Sequence, residues 1–432
     1  MKRSRATAGT VPSFSAGLLA VALAWVSPAH AQFTETDVVV LATLTAESAG
    51  DGYGWVGEVV GDINGDGAAE YIVGAPFGNA GGRLSGRAYL HDGATGTVIH
   101  TVTGSLFNQI GFSVTGPGDM NGDGIPDYAA GGPATPGAPG PQPGRVIVLS
   151  GADHSVLLDL SPSADRTYFG YDMNAAGDVN GDGHADLVVG APLDNTAGQA
   201  AGSLYVFSGA DGSTIWRVDG VGPLQLLGAG VSGIDDIDGD GRPEIAAGAL
   251  ASGKNQGGEA AIYSGNDGSF LRIMKPKQKT ALQFGNAFVH DAGDTNNDGV
   301  RDIYIGDFGD STVGPGAGVG YIFDGATGER RHLLAEAAGD GLGIGRGAGD
   351  VDGDGHDDLI MAAYLQSSAA FQGGKSYLVS GRNLKVLRTM TGTIAGNQLG
   401  FDVATLGDVN GDGLSDFLIT GFDVAHVVAG NP

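Results

Sequence analysis

Apolar residues fall in short runs separated by Gly, Asp and Asn, and the same succession of runs returns every 56 to 59 residues. In the first copy an acidic loop is followed by Tyr71-Ile-Val-Gly74-Ala75-Pro76, then by the alternating stretch Arg87-Ala-Tyr-Leu-His, then by Val98 to Val102. The third copy repeats this with Leu187-Val-Val-Gly190-Ala191-Pro192, Leu204-Tyr-Val-Phe and Thr214 to Val218. Runs this short, rich in Val, Ile, Tyr and Phe and bounded by turn residues, read as strands, and no helical period interrupts them. Each copy therefore predicts a four-stranded antiparallel meander. One meander cannot cover both of its faces, but copies stacked in a ring can. The predicted fold is all-β: a seven-bladed β-propeller occupying residues 32–432 as a single domain. An open solenoid is the alternative.

The chain ends favour the ring. The last copy supplies three runs, the second and third being Asp416 to Thr420 and Val424 to Ala429, and has no fourth. Asp37-Val-Val-Val-Leu-Ala-Thr-Leu-Thr45, ahead of the first copy, matches the fourth runs elsewhere, such as Thr97 to Thr103. The N-terminal strand is expected to complete the last blade and close the ring, with residues 32–36 dispensable.

Composition limits what holds such a ring together. The chain has 432 residues, 80 Gly and no Cys, so neither disulfides nor thiolate metal sites are available. Residues 1–31 carry Lys2, Arg3 and Arg5, an apolar run from Phe14 to Val26, and Ala29-His30-Ala31, the pattern of a cleaved secretory signal. That run is too short to span a bilayer. Its removal leaves 19 basic against 49 acidic residues, a net charge of about -30, which makes nucleic acid an unfavourable partner. The expected location is secreted, extracellular or periplasmic, with no membrane span.

The acids are concentrated in one loop of each copy, at 62–70, 119–127, 178–186, 236–244, 294–302, 350–358 and 408–416. Positions 1, 3, 5 and 9 are Asp62, Asn64, Asp66 and Glu70 in the first loop, and Asp119, Asn121, Asp123 and Asp127 in the second. The third has Asp178, Asn180, Asp182 and Asp186, and the fourth Asp236, Asp238, Asp240 and Glu244. Asp294, Asn296, Asp298 and Asp302 form the fifth, Asp350, Asp352, Asp354 and Asp358 the sixth, and Asp408, Asn410, Asp412 and Asp416 the seventh. Position 6 is always Gly, which permits the sharp bend. An ordinary hairpin turn needs one Asn-Gly or Asp-Gly and has no use for several carboxylates. Two unit charges about 4 Å apart repel by roughly 4 kcal/mol at an effective dielectric of 20. Calcium, a hard cation taking six to eight oxygen ligands, removes that cost, with the position 7 carbonyl as a further ligand. Up to seven Ca²⁺ are expected, bringing the exported chain to a net charge of about -16. There is no Glu at position 12 and no flanking helix, so these are not EF-hands.

These residues resemble the FG-GAP repeats of the integrin α-subunit N-terminal propeller. Gly111-Phe112, Phe169-Gly170-Tyr171, Phe284-Gly285-Asn286 and Leu399-Gly400-Phe401 match the first signature, and Gly74-Ala75-Pro76 and Gly190-Ala191-Pro192 the second, with the acidic loops between them. The second signature drifts to Gly248-Ala-Leu250, Gly306-Asp-Phe308, Ala362-Ala-Tyr364 and Thr420-Gly-Phe422. In integrins only some blades carry calcium loops, whereas all seven are competent here. No leg domains or cytoplasmic tail follow in this sequence, so the resemblance is expected to reach the propeller alone. It implies a secreted, calcium-stabilised scaffold for adhesion or ligand recognition, with an extracellular protein or glycan as partner.

Catalytic motifs are wanting. Gly-x-Ser-x-Gly is absent. Gly374-Lys375-Ser376 lacks the earlier glycine of a phosphate loop, and Gly341 to Gly347 lacks dinucleotide spacing. Asp92-Gly-Ala-Thr-Gly96 and Asp324-Gly-Ala-Thr-Gly328 resemble turns of quinone-dependent dehydrogenase propellers but are read as hairpin turns. A carbohydrate- or lipid-active enzyme, a polysaccharide lyase or hydrolase built on a carboxylate pair, is the second reading behind a non-enzymatic binding module. Strand alternation places the acidic loops and the third-to-fourth turns at one end of the ring. The other end receives dissimilar connections, including the basic stretch with Lys275, Lys277 and Lys279, the possible ligand face.

Overall fold

The computed structural model describes residues 32–430 apart from 136, 141, 163–165, 251–256 and 278, so the expected leader lies outside the described residues. All regular structure among them is β, in seven four-stranded antiparallel sheets. Blade 1 runs Gly57–Gly61, Glu70–Ala75, Arg87–His91 and Val98–Thr103 from the axis outward. Blades 2 to 6 follow over 113–160, 173–219, 227–274, 289–334 and 342–391. The expected propeller is what forms.

Burial explains the run pattern. In most blades the second strand is covered along its whole length, as in Asp186–Ala191, because neighbouring blades pack on both of its faces. Fourth strands such as Val98–Thr103 are largely open to solvent. Between blades 7 and 1 the core is Leu44, Tyr71, Val73, Ala404, Leu418 and their neighbours. The second-signature glycine is fixed by this stacking: a Cβ at Gly74 would lie 2.0 Å from the Gly111 carbonyl oxygen, and one at Gly190 equally close to that of Gly228. No side chain fits where adjacent blades approach so closely.

Blade 7 consists of Val403–Gly407, Asp416–Gly421 and Val424–Val428, and its fourth strand is Val40–Thr45 from the other end of the chain. Thr45 pairs with Val424 and Val40 with Val428, in antiparallel register. Arg388 of blade 6 donates to the carbonyls of Ala429 (3.0 Å) and Asp37 (2.9 Å), stitching both chain ends to the neighbouring blade. Residues 32–36, expected to be dispensable, pack against blade 6. Phe33 is buried and bridges Gly392. The Glu35 carboxylate accepts from the Thr391 amide (2.7 Å) and from the hydroxyls of Thr391 and Thr389. The segment docks on blade 6, outside the repeat pattern that the prediction relied on.

His426, in the third strand of blade 7, makes the clasp acid-sensitive. Its Nδ1 lies 3.2 Å from the Thr43 hydroxyl, its ring is covered, and burial holds its pKa down at about 4. The folded value lies below the ordinary 6.5, so this contribution to stability is complete above pH 6.5 and is lost as pH falls toward 4. At 1.36 kcal/mol per pKa unit, about 3 kcal/mol disappears between pH 7 and pH 4. Urea unfolding of His426→Gln at both pH values should show a pH-dependent loss smaller by that amount.

Candidate metal centres

Each acidic loop joins the first strand of its blade to the second, where the chain must reverse within a few residues. The reversal is organised by the carboxylates. In all seven loops the position 6 glycine amide donates to the position 1 aspartate at 2.7–2.9 Å, as Gly67 does to Asp62. The position 2 amide donates to the position 9 carboxylate at 2.7–3.2 Å, as Ile63 does to Glu70. Position 9 opens the second strand, or in blade 4 directly precedes it, and is fully buried in every copy. Its other oxygen accepts from the glycine amide of the third-to-fourth turn in blades 1, 2, 3, 5 and 6, for example Gly209 to Asp186 at 3.0 Å. Gly430 supplies the same bond to Asp416 in blade 7, although that turn is replaced by the chain terminus. Loop and turn thus lie together at one end of the ring, as strand alternation implied.

Blade 4 differs. Glu244 is buried and its Oε1 has no hydrogen-bond partner. Burial, reinforced by Asp238, Asp236 and Asp240, pushes its carboxyl up to about 7, and Asp186 is pushed to about 6 chiefly by burial. An unpartnered buried carboxylate oxygen is costly, and a cation among these four side chains would satisfy it. Their oxygens come within 4.8 Å of one another. The same closeness joins Asp350, Asp352 and Asp358 in blade 6, and Asp66, Glu70 and Asp92 in blade 1. In the loops beginning at Asp119, Asp178, Asp294 and Asp408 the expected residues share the fold of the loop without three acidic groups converging so tightly. An all-oxygen donor set of this kind suits a hard divalent cation.

Asp92 was missed by sequence reasoning. It belongs to the turn after the third strand, and its Oδ2 accepts from the Asn64 side chain at 3.3 Å. Asp324 does the same for Asn296 in blade 5, at 2.8 Å. Blades 2, 3, 4 and 6 have Ser150, Ser208, Ser264 and Ser380 at this turn position, so the signal was an Asp standing where other copies carry Ser. In blade 5 Arg331 also enters, donating to Thr295 and lying 3.6 Å from Asp302. His184 and His356, at position 7, turn their rings toward the preceding blade: His184 Nδ1 is 2.8 Å from the Met120 carbonyl and His356 Nδ1 is 3.1 Å from that of Thr295. Lys375 begins a third strand and pairs with Glu336 at 2.6 Å, which accounts for the Gly-Lys-Ser sequence.

The FG-GAP repeat family matches residues 169–207 and 347–379, and an FG-GAP-like repeat family matches 236–305. The chain is 29% identical to integrin alpha-V of Gallus gallus over 220 residues, which is 48% of this chain and 21% of that protein. It is 31% identical to integrin alpha-5 of Xenopus laevis over 186 residues, 39% of this chain and 17% of the relative. The alignments thus span about a fifth of the length of these curated relatives. Two solved structures share the fold alone. Sqt1 of Saccharomyces cerevisiae has a TM-score of 0.51 at 14% identity, covering 84% of this chain and 81% of its own. BBS1N, solved in complex with ARL6DN, has a TM-score of 0.57 at 10% identity, covering 91% and 97%. No helix among the described residues is long and apolar enough to cross a membrane. The chain carries FG-GAP repeats, and its propeller is similar to that of the integrin α subunit.

Proposed function

We propose that the protein is an extracellular, calcium-stabilised binding module that meets a protein or glycan partner with the end of the ring opposite its metal loops. The observation that carries this reading is the segregation of the two ends. All seven acidic loops occupy one end and repeat nearly unchanged, five of them tied by position 9 to the neighbouring turn. Connections at the other end differ from blade to blade, which is where a scaffold can specialise. In each loop the position 1, 3, 5 and 9 side chains hold the ion, and Asp92 and Asp324 reinforce the sites of blades 1 and 5. Calcium acts as a staple in a chain without disulfides and takes no part in chemistry. The kinship with integrin α chains supports an adhesion or recognition role outside the cell.

Lys275, Lys277 and Lys279 lie at the proposed binding end, with Lys275 paired to Glu259 at 3.0 Å. A glycan and matrix-protein array, run with and without calcium, identifies the partner, and hydrogen exchange maps its footprint. Replacing the three lysines together with Ser should weaken an acidic partner by about threefold to a hundredfold at low salt, because exposed charges contribute about 0.2–1 kcal/mol each. Unchanged affinity would remove the lysines from the interface. Protection confined to the metal-loop end would overturn the assignment of the face.

A further inference from the structure

The first-signature landmark builds a chamber on the propeller axis. The residue after the landmark glycine is Trp55, Phe112, Tyr171 and Phe401 in blades 1, 2, 3 and 7, at the entry of the innermost strand and away from the metal loops. These rings touch in sequence around the axis: Trp55 is 5.2 Å from Phe112 and 5.0 Å from Phe401 between centroids, and Phe112 is 5.2 Å from Tyr171. Blades 4, 5 and 6 have lost the aromatic, Ala229 following the landmark glycine in blade 4. Asn286 follows the landmark glycine in blade 5, and a Cβ at Gly343 in blade 6 would lie 2.6 Å from the Phe308 nitrogen. Here the second signature drifts from proline to Phe308 and Tyr364, and these rings fill the gap, with Tyr364 5.4 Å from Phe401 and 6.4 Å from Phe308. The Tyr171 hydroxyl donates to Asn286 Oδ1 at 3.4 Å. At Phe308 and Tyr364 the drift is therefore compensatory: aromatic lining lost from the first strands of blades 5 and 6 is restored from the ends of their second strands.

The rings line a cavity of about 230 Å³ whose inner wall is polar. Arg346 donates there to Glu58 and, at 3.1 Å, to Asp402, and its Nε has no partner. Asp172 Oδ2 accepts from the Val231 amide at 2.7 Å, and burial raises its carboxyl to about 8. His290, held neutral by burial, and Asn174 complete this wall. Charge decides the class of occupant. An anion would meet three carboxyl groups. A cation would find Glu58 and Asp402 already engaged by Arg346, and unmatched charge is expensive out of water. A neutral polyol matches both surfaces, its C–H faces against the rings and its hydroxyls against a mixed wall of donors and acceptors. The volume lies below the roughly 300–1,000 Å³ of drug-sized sites, which limits the occupant to a single ring.

We propose that this axial chamber binds one neutral sugar unit of an extracellular glycan, held by the aromatic collar of Trp55, Tyr171 and Tyr364 and by hydrogen bonds to Asp172 and Arg346. The inference rests on the binding end assigned above and names the ligand class. The test titrates the calcium-loaded mature protein with neutral hexoses, 6-deoxyhexoses and N-acetylhexosamines, alongside sialic acid and acetyl-lysine amide, reading Trp55 emission and saturation-transfer NMR. At least one neutral sugar should shift the emission, and Asp172→Ala and Tyr364→Ala should each weaken it at least about tenfold in protein that a thermal scan shows to be folded at the assay temperature. The emission change should survive Trp216→Phe, since Trp216 packs between blades 3 and 4 with its Nε1 donating to Gly265. Binding only of the charged compounds, binding that survives both substitutions, or no response to any neutral sugar at high millimolar concentration would overturn the proposal. A partner that protects this end yet ignores the sugars overturns the chamber and leaves the binding face standing, whereas protection at the metal-loop end overturns the face itself.

Discussion

Deleting residues 37–44 should leave a chain that aggregates or melts far below the intact protein, because it removes the fourth strand of blade 7. Val40–Thr45 pairs with Val424–Val428 at five positions, and Leu44 is buried between blades 7 and 1. At about 0.5–1.5 kcal/mol net per hydrogen bond, and about 1.5–3 kcal/mol for a buried Leu, the loss approaches the 5–15 kcal/mol that keeps a typical domain folded. The deletion also uncovers the edge of Val424–Val428, a template for pairing with another chain. Truncation of residues 32–36 alone should cost less but measurably, since it removes Phe33 and the three hydrogen bonds accepted by Glu35. Thermal scans with light scattering distinguish the two. Equal melting temperatures for both truncations would reject closure by the N-terminal strand.

Chelation should have an effect of similar size. A ligand that binds only the native state adds RT ln(1 + [L]/Kd) per site. With Kd of about 10⁻⁴ to 10⁻³ M, as in extracellular calcium modules, one site contributes about 0.4–1.4 kcal/mol at about 1 mM calcium, and seven together roughly 3–10 kcal/mol. Excess chelator should therefore lower the melting temperature on the order of 10 °C. Replacing Glu244 by Gln should reduce the calcium-dependent part of the shift, since its Oε1 has no hydrogen-bond partner and a cation would satisfy it. A scan unchanged by chelator, on protein shown to be free of metal, would count against stapling by calcium.

The repeat made most of the fold legible, because the main structural demands of a blade recur at a near-constant spacing. Gly74 and Gly190 recur since a Cβ would strike the next blade, and the buried position 9 acids recur since in five blades they tie the loop to a turn. Even the closure was readable, as a missing fourth run at one end and a spare one at the other. Features carried by single residues were not. Phe33 and Glu35 dock on blade 6 through contacts that occur once, Asp92 joins an acidic loop from a turn read as a plain hairpin, and Arg346, Glu58 and Asp402 come from three blades. No spacing along the chain relates such residues. Phe308 and Tyr364 read as drift from the second signature because their role depends on what blades 5 and 6 lack, which only the assembled ring reveals.

The central claim, that the acidic loops are calcium sites rather than elaborate turns, is tested most directly by titrating metal-stripped mature protein with calcium in a calorimeter and counting bound ions by native mass spectrometry. Saturable binding of up to seven Ca²⁺ per chain is expected, with one site lost in Asp236→Ala/Asp240→Ala and the others retained. A chain that takes up no calcium at millimolar concentration while remaining folded would contradict it.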